Sequence, residues 1–195
     1  MEFDKSVTKK NLARSFAGEC QEGARYQFLA KLAQKENYKY LETLLKVLAK
    51  NEMAHAKVFY DYIIEKSESK VDNIQIEAGF PFKASTLIEG LKSSAENEKY
   101  EHVNIYPSFA KIAKDEGFDD IAKSFNLIAE VENCHYMQVS ELYNKFVTKT
   151  VYKTKQPIKQ KCSNCGNEFV AKDIPKECPL CKMPRGYYMI KLADN

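Results

Sequence analysis

Two Glu-x-x-His motifs, Glu52-Met53-Ala54-His55 and Glu132-Asn133-Cys134-His135, use two of the three histidines in a chain of 195 residues. On an α-helix, positions i and i+3 share a face, so each motif aims one carboxylate and one imidazole the same way. Two such motifs on separate helices, joined by one Glu from each of two more, form the ligand set of a dinuclear carboxylate centre in a four-helix bundle. Glu19 and Glu98 are placed to be those two glutamates. Such a chain must bring four helices around one point.

The periodicity supplies the helices. It predicts one from about Ser6 to Gln34, a second from Tyr38 to Lys66, a third from Ala84 to Asp115 and a fourth from Asp119 to Val147. The second carries a stripe of Leu41, Leu45, Leu48, Glu52, His55, Phe59 and Tyr62. The fourth carries Ile121, Phe125, Ile128, Glu132, His135, Val139, Leu142 and Phe146. Steps of three and four mark the buried seam of a bundle. The third repeats the pattern with Leu87, Leu91, Ser94, Glu98, Glu101 and Ile105, and the first with Leu12, Phe16, Glu19, Tyr26 and Ala33.

Carboxylates interrupt all four seams near mid-helix. An unpaired buried carboxylate costs several kcal/mol, so Glu19, Glu52, Glu98, Glu101 and Glu132 together demand a compensating charge. Two divalent cations, or two ferric ions sharing an oxo group, would supply it. The third histidine, His102, lies off the stripe and is expected at the surface.

The two halves read as a duplication. Glu19 to Glu52 spans 33 residues (52 − 19) and Glu98 to Glu132 spans 34 (132 − 98). Tyr26 follows Glu19 by seven, whereas Tyr106 follows Glu98 by eight. A π-bulge in the third helix would absorb the extra residue. Tyr106-Pro107 should disturb the same stretch.

The helical pattern stops after Val147. Residues 1–147 are therefore read as the bundle, 148–160 as an extended linker around Pro157, and 161–195 as a separate small domain. That last stretch is too short for a conventional core and calls for a metal or disulfides. Cys162-Ser163-Asn164-Cys165 and Cys178-Pro179-Leu180-Cys181 form two knuckles twelve residues apart, suited to tetrahedral four-sulfur coordination of iron or zinc. Phe169, Tyr187 and Tyr188 are expected to cover it. Cys20 and Cys134 stand apart and are expected to be small buried thiols.

Bulk composition excludes other classes. The net charge of +3, with 29% charged residues, provides no basic block for nucleic acid and no basic amphipathic stripe for a membrane surface. No run is long enough to span a bilayer. The polar start, Met1-Glu2-Phe3-Asp4-Lys5, lacks a signal peptide's apolar region, so a reducing cytoplasm with thiolate ligands is expected.

Taken together, Glu19, Glu52-x-x-His55, Glu98-x-x-Glu101, Tyr106-Pro107, Glu132-x-x-His135 and the closing four cysteines resemble the rubrerythrins over nearly the whole chain. The resemblance implies a ferritin-like all-α four-helix bundle followed by a rubredoxin-like β/loop domain stapled by metal. It implies two non-haem irons bridged by Glu52 and Glu132. Glu19 and Glu98 would be terminal ligands, with His55 on one iron and His135 on the other. Glu101 would be the extra carboxylate that trades places with His55 as the redox state changes, and Tyr26 and Tyr106 the site tyrosines. Cys162, Cys165, Cys178 and Cys181 would hold one iron that relays electrons, with zinc as the alternative occupant. The implied activity is reduction of hydrogen peroxide to water. Electrons would come from rubredoxin or a similar donor and its NADH-dependent reductase, and the implied assembly is a head-to-tail homodimer. A ferroxidase or iron-storage bundle and a zinc-bearing binding module are the rival readings. No Gly-rich nucleotide loop occurs, so NADH is not expected to bind here.

Overall fold

The computed structural model describes residues 1–82 and 86–192. Five helices make the bundle: α1 (Val7–Lys35), α2 (Lys39–Lys66), α3 (Leu87–Tyr100), α4 (Tyr106–Asp115) and α5 (Asp119–Val147). The expected start of the third helix at Ala84 lies outside the described residues. Local chemistry sets the observed ends. Ser6 caps α1 by accepting from the Lys9 amide at 3.1 Å, and Thr86 caps α3 through the Glu89 amide at 3.2 Å. The Glu116 carboxylate accepts from the Val7 and Thr8 amides at 2.9 and 2.8 Å, tying the start of α1 to the end of α4.

Between α3 and α4, residues Glu101–Ile105 form a π-helical turn. It lies where the spacing of eight against seven calls for an inserted residue, and it leads directly into Tyr106-Pro107 at the start of α4. The prolyl nitrogen has no hydrogen to donate, and the widened turn accommodates that loss.

The duplication is visible in the turns. Asn37 (φ 62°) closes α1 and Gly117 (φ 89°) closes α4, both left-handed. The following residues, Tyr38 and Phe118, each donate back five positions, to Ala33 and Ala113, at 2.8 Å. Each half is therefore an antiparallel helical hairpin, α1 with α2 and α3–α4 with α5.

The crossover from α2 to α3 runs along α1. Asp4 accepts from the Glu68 amide, Arg14 donates to the Glu77 carbonyl, and Gln21 donates to the Pro81 carbonyl. Helix α3 then starts beside Leu29 and descends α1 past Glu22 to Glu19. One long crossover joining two hairpins is the ferritin-like arrangement. Two apolar clusters fill the bundle, one around Leu45, Leu91 and Leu142 and one around Phe59, Tyr106 and Phe125. The carboxylates lie between them.

The tail departs from the expected division. Much of the stretch read as linker is strand β1 (Lys153–Lys161), paired antiparallel with β2 (Glu168–Asp173). Pro157 falls within a break in the pairing between Lys153 and Ile158, where no ladder bond is required of it. The tail packs on the α1–α2 turn of its own bundle. Tyr152 stacks on Tyr38 at 6.1 Å, and Ile190 joins the apolar cluster around Leu45. Gly186 lies so close to this turn that a Cβ there would stand 1.7 Å from the Asn37 carbonyl oxygen. Only glycine fits that approach. No helix among the described residues is long and apolar enough to cross a membrane.

Candidate metal centres

Six of the seven predicted bundle ligands converge in two overlapping groups. Glu19, Glu52, His55 and Glu132 form one, and Glu52, Glu98, Glu132 and His135 the other, with ligand atoms within 4.8 Å of one another in each. All six residues are buried. The helical register places them: each Glu-x-x-His motif turns both side chains inward on one face.

Glu52 and Glu132 belong to both groups, and their oxygens divide between the histidines. Glu132 sets Oε1 2.9 Å from His55 Nδ1 and Oε2 2.8 Å from His135 Nδ1. Glu52 sets Oε2 3.5 Å from His55 Nδ1 and Oε1 3.0 Å from His135 Nδ1. A carboxylate with one oxygen toward each of two sites is arranged to bridge. Glu19 lies 3.4 Å from His55 Nδ1 and Glu98 3.9 Å from His135 Nδ1, one terminal carboxylate per side.

These approaches are not hydrogen bonds. Glu52 Oε1, His55 Nδ1, Glu98 Oε2, both Glu132 oxygens and His135 Nδ1 are buried without a hydrogen-bond partner. Such orphaned atoms are costly unless something binds them. Converging on common points with carboxylate and imidazole donors, they fit a pair of metal ions of the first transition series.

The tyrosines complete a reciprocal pattern. Tyr26, on the first hairpin, donates to Glu98 Oε1 on the second at 2.5 Å, and Tyr106, on the second, donates to Glu19 on the first. Each hairpin thus fixes the terminal carboxylate of the other. Asn51, which carries no motif signal, sets its amide nitrogen 3.3 Å from His135 Nε2. With a metal on Nδ1, Nε2 carries the hydrogen, and turning the amide over offers it an acceptor oxygen.

In the absence of metal, protons take up part of the load. Burial, and then neighbouring carboxylates, push Glu98 well above the usual carboxylate range. Burial also drives Glu19 well up, with His55 opposing and Glu132 and Glu52 reinforcing. Glu101 is raised by burial, then by Glu132 and Glu52, to about 8. Burial works against charge on the histidines, but their carboxylate partners outweigh it and lift His55 to about 12 and His135 to about 9. Glu52 goes the other way: burial would raise it, but His135 and His55 bring it down to about 2.

Glu101 stands outside both four-residue groups. It lines a cavity of about 250 Å³ between α1 and the α3–α4 stretch, under residues 77–81, with Arg14, Gln21, Asn97, Tyr106 and Phe109. His102 corrects the surface expectation: it is half-buried in the π turn, and its Nδ1 sits 2.8 Å from the Ala129 carbonyl of α5. Cys134 is exposed rather than buried, because position 134 turns outward when Glu132 and His135 turn in; Cys20 is half-buried.

In the tail, Cys162 Sγ lies 3.8 Å from Cys181 Sγ and Cys165 Sγ 3.7 Å from Cys178 Sγ. A disulfide needs about 2.05 Å. A tetrahedron with metal–sulfur bonds of about 2.3 Å has edges of about 3.8 Å. The spacing fits a four-thiolate metal. Both knuckles use the same backbone bonds, Gly166 N to Cys162 O and Lys182 N to Cys178 O, each at 2.9 Å. Amides of Cys181 and Leu180 donate toward Cys178 and, against burial, lower its thiol to about 6. Buried Tyr188 and partly buried Phe169 and Tyr187 pack around the cysteines as expected.

The same pattern occurs in known proteins. The rubrerythrin family model matches residues 10–143. The chain belongs to the rubrerythrin family. It is 36% identical to a rubrerythrin of Clostridium perfringens, covering 94% of this chain and 93% of that one. It is 30% identical to a rubrerythrin of Nitratidesulfovibrio vulgaris, over 94% and 93% of the two. A nigerythrin structure in a partially reduced state shares the fold, with a TM-score of 0.63 and 24% identity over 94% of this chain and 88% of that one. A bacterioferritin of Desulfovibrio desulfuricans shares the bundle, with a TM-score of 0.60 and 22% identity over 72% and 80%. A rubrerythrin-type di-iron ferritin-like fold with a four-cysteine tail is what the residues had pointed to.

Proposed function

We propose that the bundle centre, loaded with two irons, reduces hydrogen peroxide to water with electrons delivered through an iron in the four-cysteine site. The observation that supports this over plain iron oxidation is Glu101. It is a fifth carboxylate, beyond the four carboxylates and two histidines of the two groups, and it stands where a small polar molecule can approach. When bound in the ferrous state, the pair supplies one electron per metal, so that H₂O₂ with two electrons and two protons yields two waters. Glu52 and Glu132 would bridge, with Glu19 and His55 completing one site and Glu98 and His135 the other. Tyr26 and Tyr106 fix the terminal carboxylates and keep phenolic protons at the centre. Glu101 and Tyr106 both line the cavity with protic groups, and Tyr106 also donates to Glu19. A hard carboxylate favours ferric iron and a neutral imidazole the ferrous form, so Glu101 would exchange with His55 as the redox state changes.

Electron supply then has a distance to cover. The tail packs at Tyr38 and next to Phe146. Those residues stand 14 and 11 positions from Glu52 and His135, about 16–21 Å along the helices at 1.5 Å per residue. Transfer to a second copy arranged head to tail shortens that path, with rubredoxin or a similar protein and its NADH-dependent reductase as the outside source.

The test is turnover with the iron-loaded protein and a reduced one-electron donor, peroxide against dioxygen. Peroxide should be consumed much faster, and Glu52→Ala with His55→Ala should abolish it. Equal consumption of dioxygen by a many-subunit cage would move the chain to iron storage. Zinc in the native cysteine site, with no bleachable visible band, would remove the relay.

A further inference from the structure

The ligand atoms of the bundle follow a twofold pattern, but their surroundings do not. Asn51 stands immediately before Glu52, and its amide nitrogen is 3.3 Å from Nε2 of His135, a ligand of the other hairpin. The matching residue of the second motif, immediately before Glu132, is Val131. By the twofold relation between the hairpins, position 131 is to His55 what position 51 is to His135. A valine side chain has no group to donate or accept. Among the described residues, Asn51 partners His135 Nε2, and no hydrogen bond reaches His55 Nε2.

The two imidazoles are otherwise alike. Each sets Nδ1 toward Glu52 and Glu132, and the rings lie 24° apart with centroids at 5.8 Å. A primary amide can serve the outer nitrogen in either state of the site. Its NH₂ donates when Nε2 is bare; turned over, its oxygen accepts when metal on Nδ1 leaves the hydrogen on Nε2. A ring held at both nitrogens keeps its angle. A ring held at Nδ1 alone turns away once that one bond breaks. His55 is also the less enclosed, 9% exposed against 3% for His135. A half-buried asparagine that had merely met a polar neighbour would have no bearing on metal binding.

We propose that Asn51 is a positioning residue that pins His135 to its metal, and that valine at position 131 leaves His55 free to depart. The contrast selects which histidine exchanges: Glu101 supplies the competing ligand, and position 131 the freedom of the ligand it replaces. This second half rests on the exchange of His55 for Glu101 proposed above; the pin on His135 does not.

The pin is read in the full chain without turnover. Ferrous iron titrated anaerobically against a chelator should bind the bundle about 10–100-fold more weakly in Asn51→Val, the usual loss when a metal-bound histidine loses its outer partner. Val131→Ala should bind as the parent does. In the zinc-loaded parent, proton NMR should find the Nε2 hydrogen of His135 exchanging slowly with water and that of His55 quickly. Unchanged iron binding in Asn51→Val, or equal exchange at the two rings, would overturn the pin. The reduction potential of the iron-loaded centre reads the second half. Val131 is exposed, so an amide is tolerated there, and Val131→Asn gives His55 the partner it lacks. Holding His55 on iron favours the reduced form and should raise the potential by about 30 mV per tenfold for a two-electron couple. In a Glu101→Gln background that rise should shrink. No rise, or an equal one in that background, would remove position 131 from the exchange. If Glu101→Gln alone leaves the potential unchanged, the exchange itself fails, and the iron titration still decides the pin on His135.

Discussion

The bundle and the tail each gather donors for metal, but they do so by opposite routes. In the bundle the donors come from four helices, and Tyr26–Glu98 and Tyr106–Glu19 join residues 72 and 87 positions apart. The surrounding apolar clusters assemble that scaffold, and the metal site is a set of unpartnered buried polar atoms within it. In the tail the four sulfurs come from two short knuckles, covered chiefly by Ile174, Tyr188 and partly buried aromatics. One region can fold around an empty centre at a cost; the other has little to fold around except its centre.

Metal removal should separate the two most sharply. Structural metal in small four-ligand domains contributes on the order of 10 kcal/mol. Stripping the tail metal, or replacing Cys162 and Cys165 with Ser, should therefore unfold residues 153–190 while the bundle stays helical. Amide exchange resolved by region reads this directly. A tail that keeps its protection without metal would show that its aromatic cover suffices.

Next in size is the response of the metal-free bundle to pH. Glu101, raised to about 8 from an ordinary 4.5, favours the folded state fully below 4.5, and that contribution is lost as pH rises to 8. His135, raised to about 9 from 6.5, behaves likewise between those values. Glu52, lowered to about 2, acts in reverse and matters only as pH falls from 4.5 toward 2. Between pH 6 and 9 the first two act in the same direction as His55, Glu19 and Glu98, whose proton affinities are also raised in the fold. The metal-free bundle should melt lower at pH 9 than at pH 6, by at least about 2–4 °C, the shift per kcal/mol for a chain of this size. With metal the trend should reverse or flatten, because ligands must lose protons to bind. A metal-free melting temperature that is constant or rises with pH would show that these carboxylates and histidines do not hold extra protons in the folded state.

The same contrast explains what could be read from the sequence. The ligands were legible because helical geometry turns a local spacing into a shared face: Glu52 with His55, Glu132 with His135. Even the π turn at Glu101–Ile105 was legible, since the Tyr106 spacing exceeds the Tyr26 spacing by one. Asn51 was not, because its partner arrives from another helix and no local pattern distinguishes it from a surface polar residue. Strand β1 was missed for a different reason. Lys-Thr-Lys-Gln-Pro-Ile-Lys-Gln-Lys has almost no apolar alternation, and only Gln160 of the strand is fully buried. In a sheet of two strands exposed on both faces, pairing leaves little trace in hydropathy.

The smallest effect lies within the tail, where the two knuckles can be compared with each other. Gly166 (φ 74°) and Lys182 (φ 60°) occupy the same position after the second cysteine of each, and both are left-handed. Glycine adopts that conformation freely, whereas a residue with a Cβ is strained there by about 1 kcal/mol. The Lys182 side chain returns little of this: its ammonium is 3.7 Å from Glu177, and both groups are well exposed. An exposed pair of that kind contributes well under about 1 kcal/mol. Lys182→Gly should therefore stabilise the metal-loaded tail by roughly 0.5–1 kcal/mol, and Gly166→Lys should weaken it by a similar amount. The rate of metal loss to a competing chelator measures both, since release requires the knuckle to open. If Lys182→Gly speeds release instead, the side chain of Lys182 has a role that its backbone angle conceals, and the two knuckles are equivalent in geometry but not in stability.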